Sequence, residues 1–411
     1  VADALRSAGL RVLPVSANRL VLNVDGPASA VARAFHTSIH AFRSPDGNVG
    51  YLPTQRIGLP ANVAPLVAGV SGLSTFEHAQ SLARTAPQSA RSALTPPTAC
   101  SAASSAATRR GEYLPSEIAA AYGITNAMAN GYDGTGRTVG VVEFANYYRS
   151  DMTAYKNCFG LQSTIVDVAV NGGAPASSAA NGGDEVELDL QQIISLAPGA
   201  TVYNYMHAND ANGWIDTFTR IANDNLVGAL SVSWGTCETE QSTFAQQPLL
   251  QQMAAQGQSV FVAAGDSGSS SCAYSAAPGD PTVDYSPVVN DPANSPWVTG
   301  IGGLTVDSIS PLVQSVWGNT CGSSSPCGGG GGYSTLYDRP TWQVGPGVNS
   351  MNHRQVPDIS VMADPGTGMI AYYAGAWHGF GGTSIGAPIL TAMVAVGAQA
   401  CGTQSLGFLN P

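Results

Sequence analysis

Lysine occurs once in 411 residues, at Lys156, and charged side chains of all kinds make up 10% of the chain. With 44% hydrophobic residues, so low a charge density argues against disorder. No run of about 18 uninterrupted apolar residues suggests a membrane span, so a soluble globular protein is expected. None of the seven cysteines forms a Cys-x-x-Cys pair, which excludes the zinc and thioredoxin patterns and leaves disulfides in an oxidising compartment. The chain opens on Val1 with neither Met nor a signal peptide, so secretion is an inference and the true start is expected upstream.

At 411 residues, two units are the starting expectation. The net charge of -11 is unevenly spread: residues 1–112 carry ten basic and five acidic side chains, residues 113–411 six and twenty-two. A basic segment ahead of an acidic one fits two parts that attract each other better than a nucleic-acid binder. Such an attraction should loosen as carboxylates protonate. The abundance of Gly, Ser, Ala, Thr and Asn suits an extracellular hydrolase. Cys237 with Cys272 and Cys321 with Cys327 are the expected disulfides, because each pair flanks a Gly/Ser-rich loop; the odd count leaves a thiol over.

Residues 1–75 read as a small α+β unit, with strands at Arg19–Val24 and Ile39–Phe42, a helical spacing at Val31, Ala34 and Phe35, a turn at Pro45–Asn48 and a second helix over Asn62–Val70. Residues 76–111, rich in Ala, Ser, Thr and Pro, read as a linker, and Arg109-Arg110 as its processing site. Residues 112–411 alternate strands (Thr138–Phe144, Thr201–Met206, Ala229–Trp234, Ser259–Ala264, Trp297–Ile301) with helices (Asp184–Leu196, Trp214–Leu226, Thr243–Ala255). That alternation predicts an α/β domain with a parallel sheet covered by helices on both faces, and reactive groups at the carboxyl ends of its strands.

Gly382-Thr383-Ser384 runs into Gly386-Ala387-Pro388 and an apolar helix, which sets Ser384 at a helix N-terminus suited to stabilising a developing oxyanion. A helix cap would have the same sequence. A serine nucleophile needs a base, yet the histidines number six and no His-Gly-Thr stretch occurs. Glu185 and Asp189 share one helix face, where mutual repulsion raises one carboxyl pKa and makes a base fit for acid; a solvated acidic face is the competing reading. Glu187 lies about 200° round the helix from Glu185 and is left out. Glu143 and Asp266 each end an apolar strand. Asp266-Ser267-Gly268 resembles an aspartic-peptidase half-site without its partner; kept protonated, Asp266 can donate to an oxyanion.

Glu185 to Asp189, Ser231-Val232-Ser233-Trp234-Gly235, Ala264 to Gly268, Gly330 to Ser334, Pro357 to Ser360 and Gly382 to Ser384, in this order, resemble the sedolisin family of serine-carboxyl peptidases. The resemblance implies a subtilisin-like catalytic domain behind a ferredoxin-like activation prodomain, with acid-acting endopeptidase activity. By the same resemblance Ser384 is the nucleophile, Glu185 the base, Asp189 its orienting carboxyl, Asp266 the oxyanion acid and Glu143 an outer acid. Trp234 matches a residue near the substrate cleft, with a packing role equally open, and Cys237–Cys272 a disulfide of some members. The implied partners are peptide or protein substrates and the chain's own prodomain as inhibitor and chaperone, on a secreted monomer without nucleic-acid or membrane partners. The implied Ca2+ site lies beyond Leu409-Asn410-Pro411, so no metal ligand is assigned in this chain. A catalytically inactive binding protein on the same fold is the rival reading, and a histidine-dependent subtilisin a weaker one.

Overall fold

Short apolar runs, such as Val260 to Val262 and, either side of Gly140, Val139 and Val141-Val142, are shielded on both sides, the condition for strands at the centre of a parallel sheet. The computed structural model describes residues 1–410 apart from 45–46, 86–98, 179–180, 240–243, 274–284 and 322–324, with backbone alone at 319–321 and 325–326. Its central sheet has eight strands: Thr138–Glu143 (β1), Thr164–Ala169 (β2), Thr201–Met206 (β3), Ala229–Val232 (β4), Ser259–Ala263 (β5), Thr299–Ile309 (β6), Leu312–Val316 (β7) and Ile359–Met362 (β8). The spatial order is β7-β6-β5-β4-β1-β3-β2, with β8 also on β6. Every pairing is parallel except β6 with β7.

Helices cover the sheet. Gly183–Leu196 (α1) packs on Gly386–Ala400 (α2), and Gly213–Asp224 packs on Gln247–Ala255. The stretch Thr383–Ala400 is long and apolar enough to cross a membrane by composition, but 78% of it is buried in the protein, as suits a core helix. The helix Arg149–Phe159 and its following β2 escape sequence reading. In β2 Asp167 interrupts the apolar run, and the helix buries little beyond Met152 and Tyr155.

The first 75 residues form a small α+β unit with its own core of Leu5, Leu10, Ala30, Ala34 and Phe35. The expected strand Arg19–Val24 shrinks to Val24–Asp25, paired with Arg11–Val12, because Arg19 turns into the left-handed region. The expected helix over 62–70 is a single turn, Ala64–Leu66, which ends where Val67 turns extended. Ile39–Arg43 pairs with Val49–Pro53, while Pro45 and Asp46 of the predicted turn lie outside the described residues.

The larger correction concerns the linker. Ser101–Arg110 is an α-helix that buries Ala103, Ala106 and Ala107 against Leu114 and Ile370 and ends on left-handed Gly111. Alanine lacks bulk but has the highest helix propensity and permits close approach, so few large apolar residues were needed. Arg109 and Arg110 therefore lie in the last turn of a packed helix. A disulfide that was not anticipated, Cys100–Cys158, fastens the start of this helix to the unit built on the central sheet. Breaking it with Cys158→Ser should cost about 2–4 kcal/mol of unfolding free energy, read as a denaturation midpoint below that of the oxidised wild type.

Candidate active site

Ser384 follows the strand Ala376–Gly381 through Gly382 and stands in the short turn Thr383–Ile385 that starts α2. Gly382 has φ +99°, and a Cβ there would sit 2.1 Å from the carbonyl oxygen of Leu82 and 2.7 Å from Asp266 Oδ2. Only glycine lets the chain turn here while those two oxygens approach. Ser384 is fully buried, and its Oγ donates to Glu185 Oε2 at 3.0 Å, with the Ser233 carbonyl a longer 3.4 Å away.

The base side of the site comes from α1 and β4. Gly182, left-handed at φ +83°, starts α1 directly against the Trp234 ring, where a Cβ would stand 2.4 Å from the indole. From Glu185 to Ile194 α1 is buried on every side, so its acids do not form a solvated face. Ser233 Oγ lies 2.8 Å from both oxygens of Asp189, and Ser231 adds a bond at 3.3 Å; alternation along the strand puts both serines on one face. Burial pushes Asp189 up to about 8. Burial first, then the neighbouring charge of Asp189, holds Glu185 well above the usual carboxylate range.

Glu143, at the end of β1, is also fully buried, and burial with the charge of Asp189 raises it well above the usual range. Its Oε2 accepts from Trp234 Nε1 at 2.8 Å. Glu143 Oε1 and Glu185 Oε1 are buried without hydrogen-bond partners, the condition under which carboxyls keep protons rather than charge. Trp234 packs edge-on to Phe144, so it both fills space and holds Glu143. Glu187 points elsewhere, as its helical angle predicts, accepting from the Tyr148 amide at 2.8 Å, and burial raises it to about 9.

Asp266 closes the other side, just past β5. Its Oδ1 accepts from the Thr383 amide at 2.7 Å and hydroxyl at 2.9 Å, and its Oδ2 faces Arg84 Nε at 3.3 Å. Burial raises Asp266 to about 6, with Arg84 opposing that rise. Four predicted residues thus converge. The hydrogen-bond partners of Ser384 Oγ include no histidine.

A six-residue strand from the expected linker lies across these groups. Gln80 and Ser81 pair antiparallel with Gly235 and Trp234, and Arg84 and Thr85 with Gly381 and Phe380. Between the two ladders the Leu82 amide donates to the Ser233 carbonyl at 3.2 Å, while Ser81 Oγ and the Ala83 amide each donate to Glu185 Oε2 at 2.6 Å. Sequence reading missed Ser81, Ala83 and Arg84, along with Ser231, Ser233 and Thr383. For the serines the strand alternation was the available signal; for the linker residues there was none.

Cys237–Cys272 forms as expected, tying the end of the Trp234–Cys237 strand to the loop after Asp266. Of the expected Cys321–Cys327 pair, Cys327 is buried beside Trp317 and Ala363 and is disulfide-bonded, while the side chain of Cys321 lies outside those described. Cys401 is an exposed free thiol. Among the described residues no group of three or more His, Cys, Asp or Glu side chains could hold a metal ion.

Residues 1–76 match the pro-kumamolisin activation domain. Kumamolisin of Bacillus sp. strain MN-32 is 32% identical over 422 aligned residues, spanning 97% of this chain and 70% of that protein. Sedolisin of Pseudomonas sp. strain 101 is 30% identical over 98% of this chain and 68% of its own length. The structure of Pseudomonas sedolisin, a serine-carboxyl proteinase complexed with two molecules of pseudo-iodotyrostatin, superposes with a TM-score of 0.65 at 29% identity, covering 72% of this chain and 83% of that one. With a buried serine bonded to a glutamate, an activation domain in front and relatives of this similarity, the chain belongs to the sedolisin family of serine-carboxyl peptidases.

Proposed function

We propose that this chain is made as a secreted zymogen and hydrolyses internal peptide bonds in acid, with Ser384 as nucleophile, Glu185 as general base, Asp189 as the carboxyl that orients it and Asp266 as the oxyanion acid. The observation that carries this reading is the 3.0 Å hydrogen bond from Ser384 Oγ to Glu185 Oε2, made inside a buried carboxyl cluster. Secretion draws support from the two disulfides and the relatives. Residues 1–75 serve as the activation domain. The catalytic unit starts nearer residue 99 than residue 112, because Cys100 and the helix after it are fastened to it.

Burial and mutual repulsion make Glu185 and Asp189 titrate as a unit, and the reacting form is the one in which the pair carries one negative charge and one proton. The form with Glu185 ionised and Asp189 protonated accepts the Ser384 proton as Oγ attacks the carbonyl carbon. Glu185 then passes that proton to the leaving amine, and water cleaves the acyl-enzyme. A neutral Asp266 donates a hydrogen bond to the oxyanion, as its ionised form cannot. Glu143 adds a further buried acid beside the pair without touching the serine. Calcium enters none of these steps.

Since Asp266 holds its proton to about 6 with Arg84 alongside, the rate should fall as pH rises through that value. Asp266→Ala, which leaves no donor at that point, should lower kcat on a synthetic peptide at about pH 4 by roughly 100- to 1,000-fold. An unchanged kcat, or an unchanged fall-off above pH 6, would remove Asp266 from the mechanism.

A further inference from the structure

The loop that follows β3 carries an asparagine whose side chain behaves like a piece of backbone. Asn209 Nδ2 donates to the Ala79 carbonyl oxygen at 2.7 Å, and Asn209 Oδ1 accepts from the Ala79 amide at 2.8 Å. A carboxamide holds a donor and an acceptor side by side, as a peptide group does, so one asparagine can close both main-chain bonds of an extended residue. The loop itself is anchored at the reacting end of the sheet. The His207 amide donates to the carbonyl of Glu143 at 3.0 Å, and the Gly213 amide to that of Asp210 at 3.0 Å, where the next helix begins.

The position of Ala79 relative to the reacting groups gives this contact its meaning. The Leu82 carbonyl oxygen and Asp266 Oδ2 approach the same point by Gly382, and the Ala83 amide donates to Glu185 Oε2, the atom that also accepts from Ser384. A chain that follows this register has its acyl side at Leu82, Ser81 and Gln80, and its fourth residue at Ala79. Ser81 and Gln80 pair through the main chain with Trp234 and Gly235. Asn209 therefore carries the ladder one residue further by means of a side chain. Both of its bonds run to main-chain atoms, so the carboxamide senses whether a chain continues to a fourth residue. The methyl group of Ala79 is buried, which favours a small side chain there.

We propose that Asn209 is a substrate-binding residue that grips the main chain of the fourth residue before the scissile bond, so that the enzyme favours chains that continue past the third residue over chains that begin there. The inference deepens the reading of the enzyme as an endopeptidase and rests on Ser384 being the nucleophile. A chain that begins at the third residue forfeits both hydrogen bonds and leaves the asparagine to water. Because the grip is made before and during the reaction alike, its loss should appear mainly in KM.

The test uses the full chain at about pH 4 and three synthetic peptides with the same residues around the cut. One is long with alanine at the fourth position, the second carries an N-methyl group on that alanine, and the third begins at the third residue. Each result is read as a ratio of kcat/KM within one preparation, so the fraction of open clefts cancels. Wild type should prefer the long peptide to the short one by about 10- to 100-fold and to the N-methylated one by about 5- to 10-fold. In Asn209→Ala both ratios should fall to about one, while kcat on the short peptide stays at the wild-type value. Wild type that cuts long and short peptides equally would overturn the proposal, and this result needs no folded variant. A preference for the long peptide that persists at full size in Asn209→Ala would overturn it as well. Hydrolysis of the long peptide that survives Ser384→Ala would instead overturn the reading beneath it.

Discussion

Ser384→Ala should lower peptide hydrolysis by roughly 10,000- to 1,000,000-fold. The size of the loss follows from what the hydroxyl does: without it no acyl-enzyme forms, and Glu185, Asp189 and Asp266 have no shared reaction left to assist, so removing one member forfeits nearly the whole unit. The fold should survive. Glu185 Oε2 keeps its donors Ser81 and Ala83, and the variant loses a single hydrogen bond worth about 1 kcal/mol. Assay on a peptide substrate at about pH 4, beside a thermal melt, separates the two effects. A folded variant with near wild-type turnover would mean that the buried serine is a helix cap after all and that the acids work without it.

The parallel sheet was legible because its central strands are mostly apolar, buried runs with turn-forming residues beyond their ends. Ala229 to Val232 and Ser259 to Ala263 lie within a residue or two of where their hydrophobicity begins and ends. The four residues that line the site were legible from spacing and from strand ends: residues four apart on α1, an acid just after β5 and a serine before an apolar helix. The surroundings of those groups were not. Whether α1 shows its acids to water depends on α2 and on the strand Met369–Tyr373 covering it, contacts made by segments nearly 200 residues distant. The linker was misread for a related reason. A run of Ala and Ser looks unable to form a core by itself, but against an already formed surface at Leu114 and Ile370 it needs only small side chains and helix propensity. The strand 80–85 carries no periodic signal, since its conformation is imposed by ladders on both flanks of the cleft.

Glu185→Gln should cost about 100- to 10,000-fold in kcat, through loss of the group that carries the proton from Ser384 to the leaving nitrogen. The amide matches the carboxylate in shape, and its carbonyl oxygen can accept from Ser81, Ala83 and Ser384, so binding geometry is kept while basicity is lost. The stability effect should run the other way. A carboxyl whose folded pKa is raised above its ordinary value favours the fold while protonated; that advantage is present in acid and is lost as pH rises from the ordinary carboxylate range toward the folded value. Wild type should therefore lose stability as pH rises above the ordinary carboxylate range, and Glu185→Gln, which has no charge to bury, should lose less. A variant inactive at pH 4 yet melting at or above wild type at pH 8 would tie the same buried carboxyl to both catalysis and alkaline lability. If its melting point instead falls in step with wild type across that range, Glu185 is not the group whose ionisation strains the fold, and the shared proton belongs with Asp189 and Glu143.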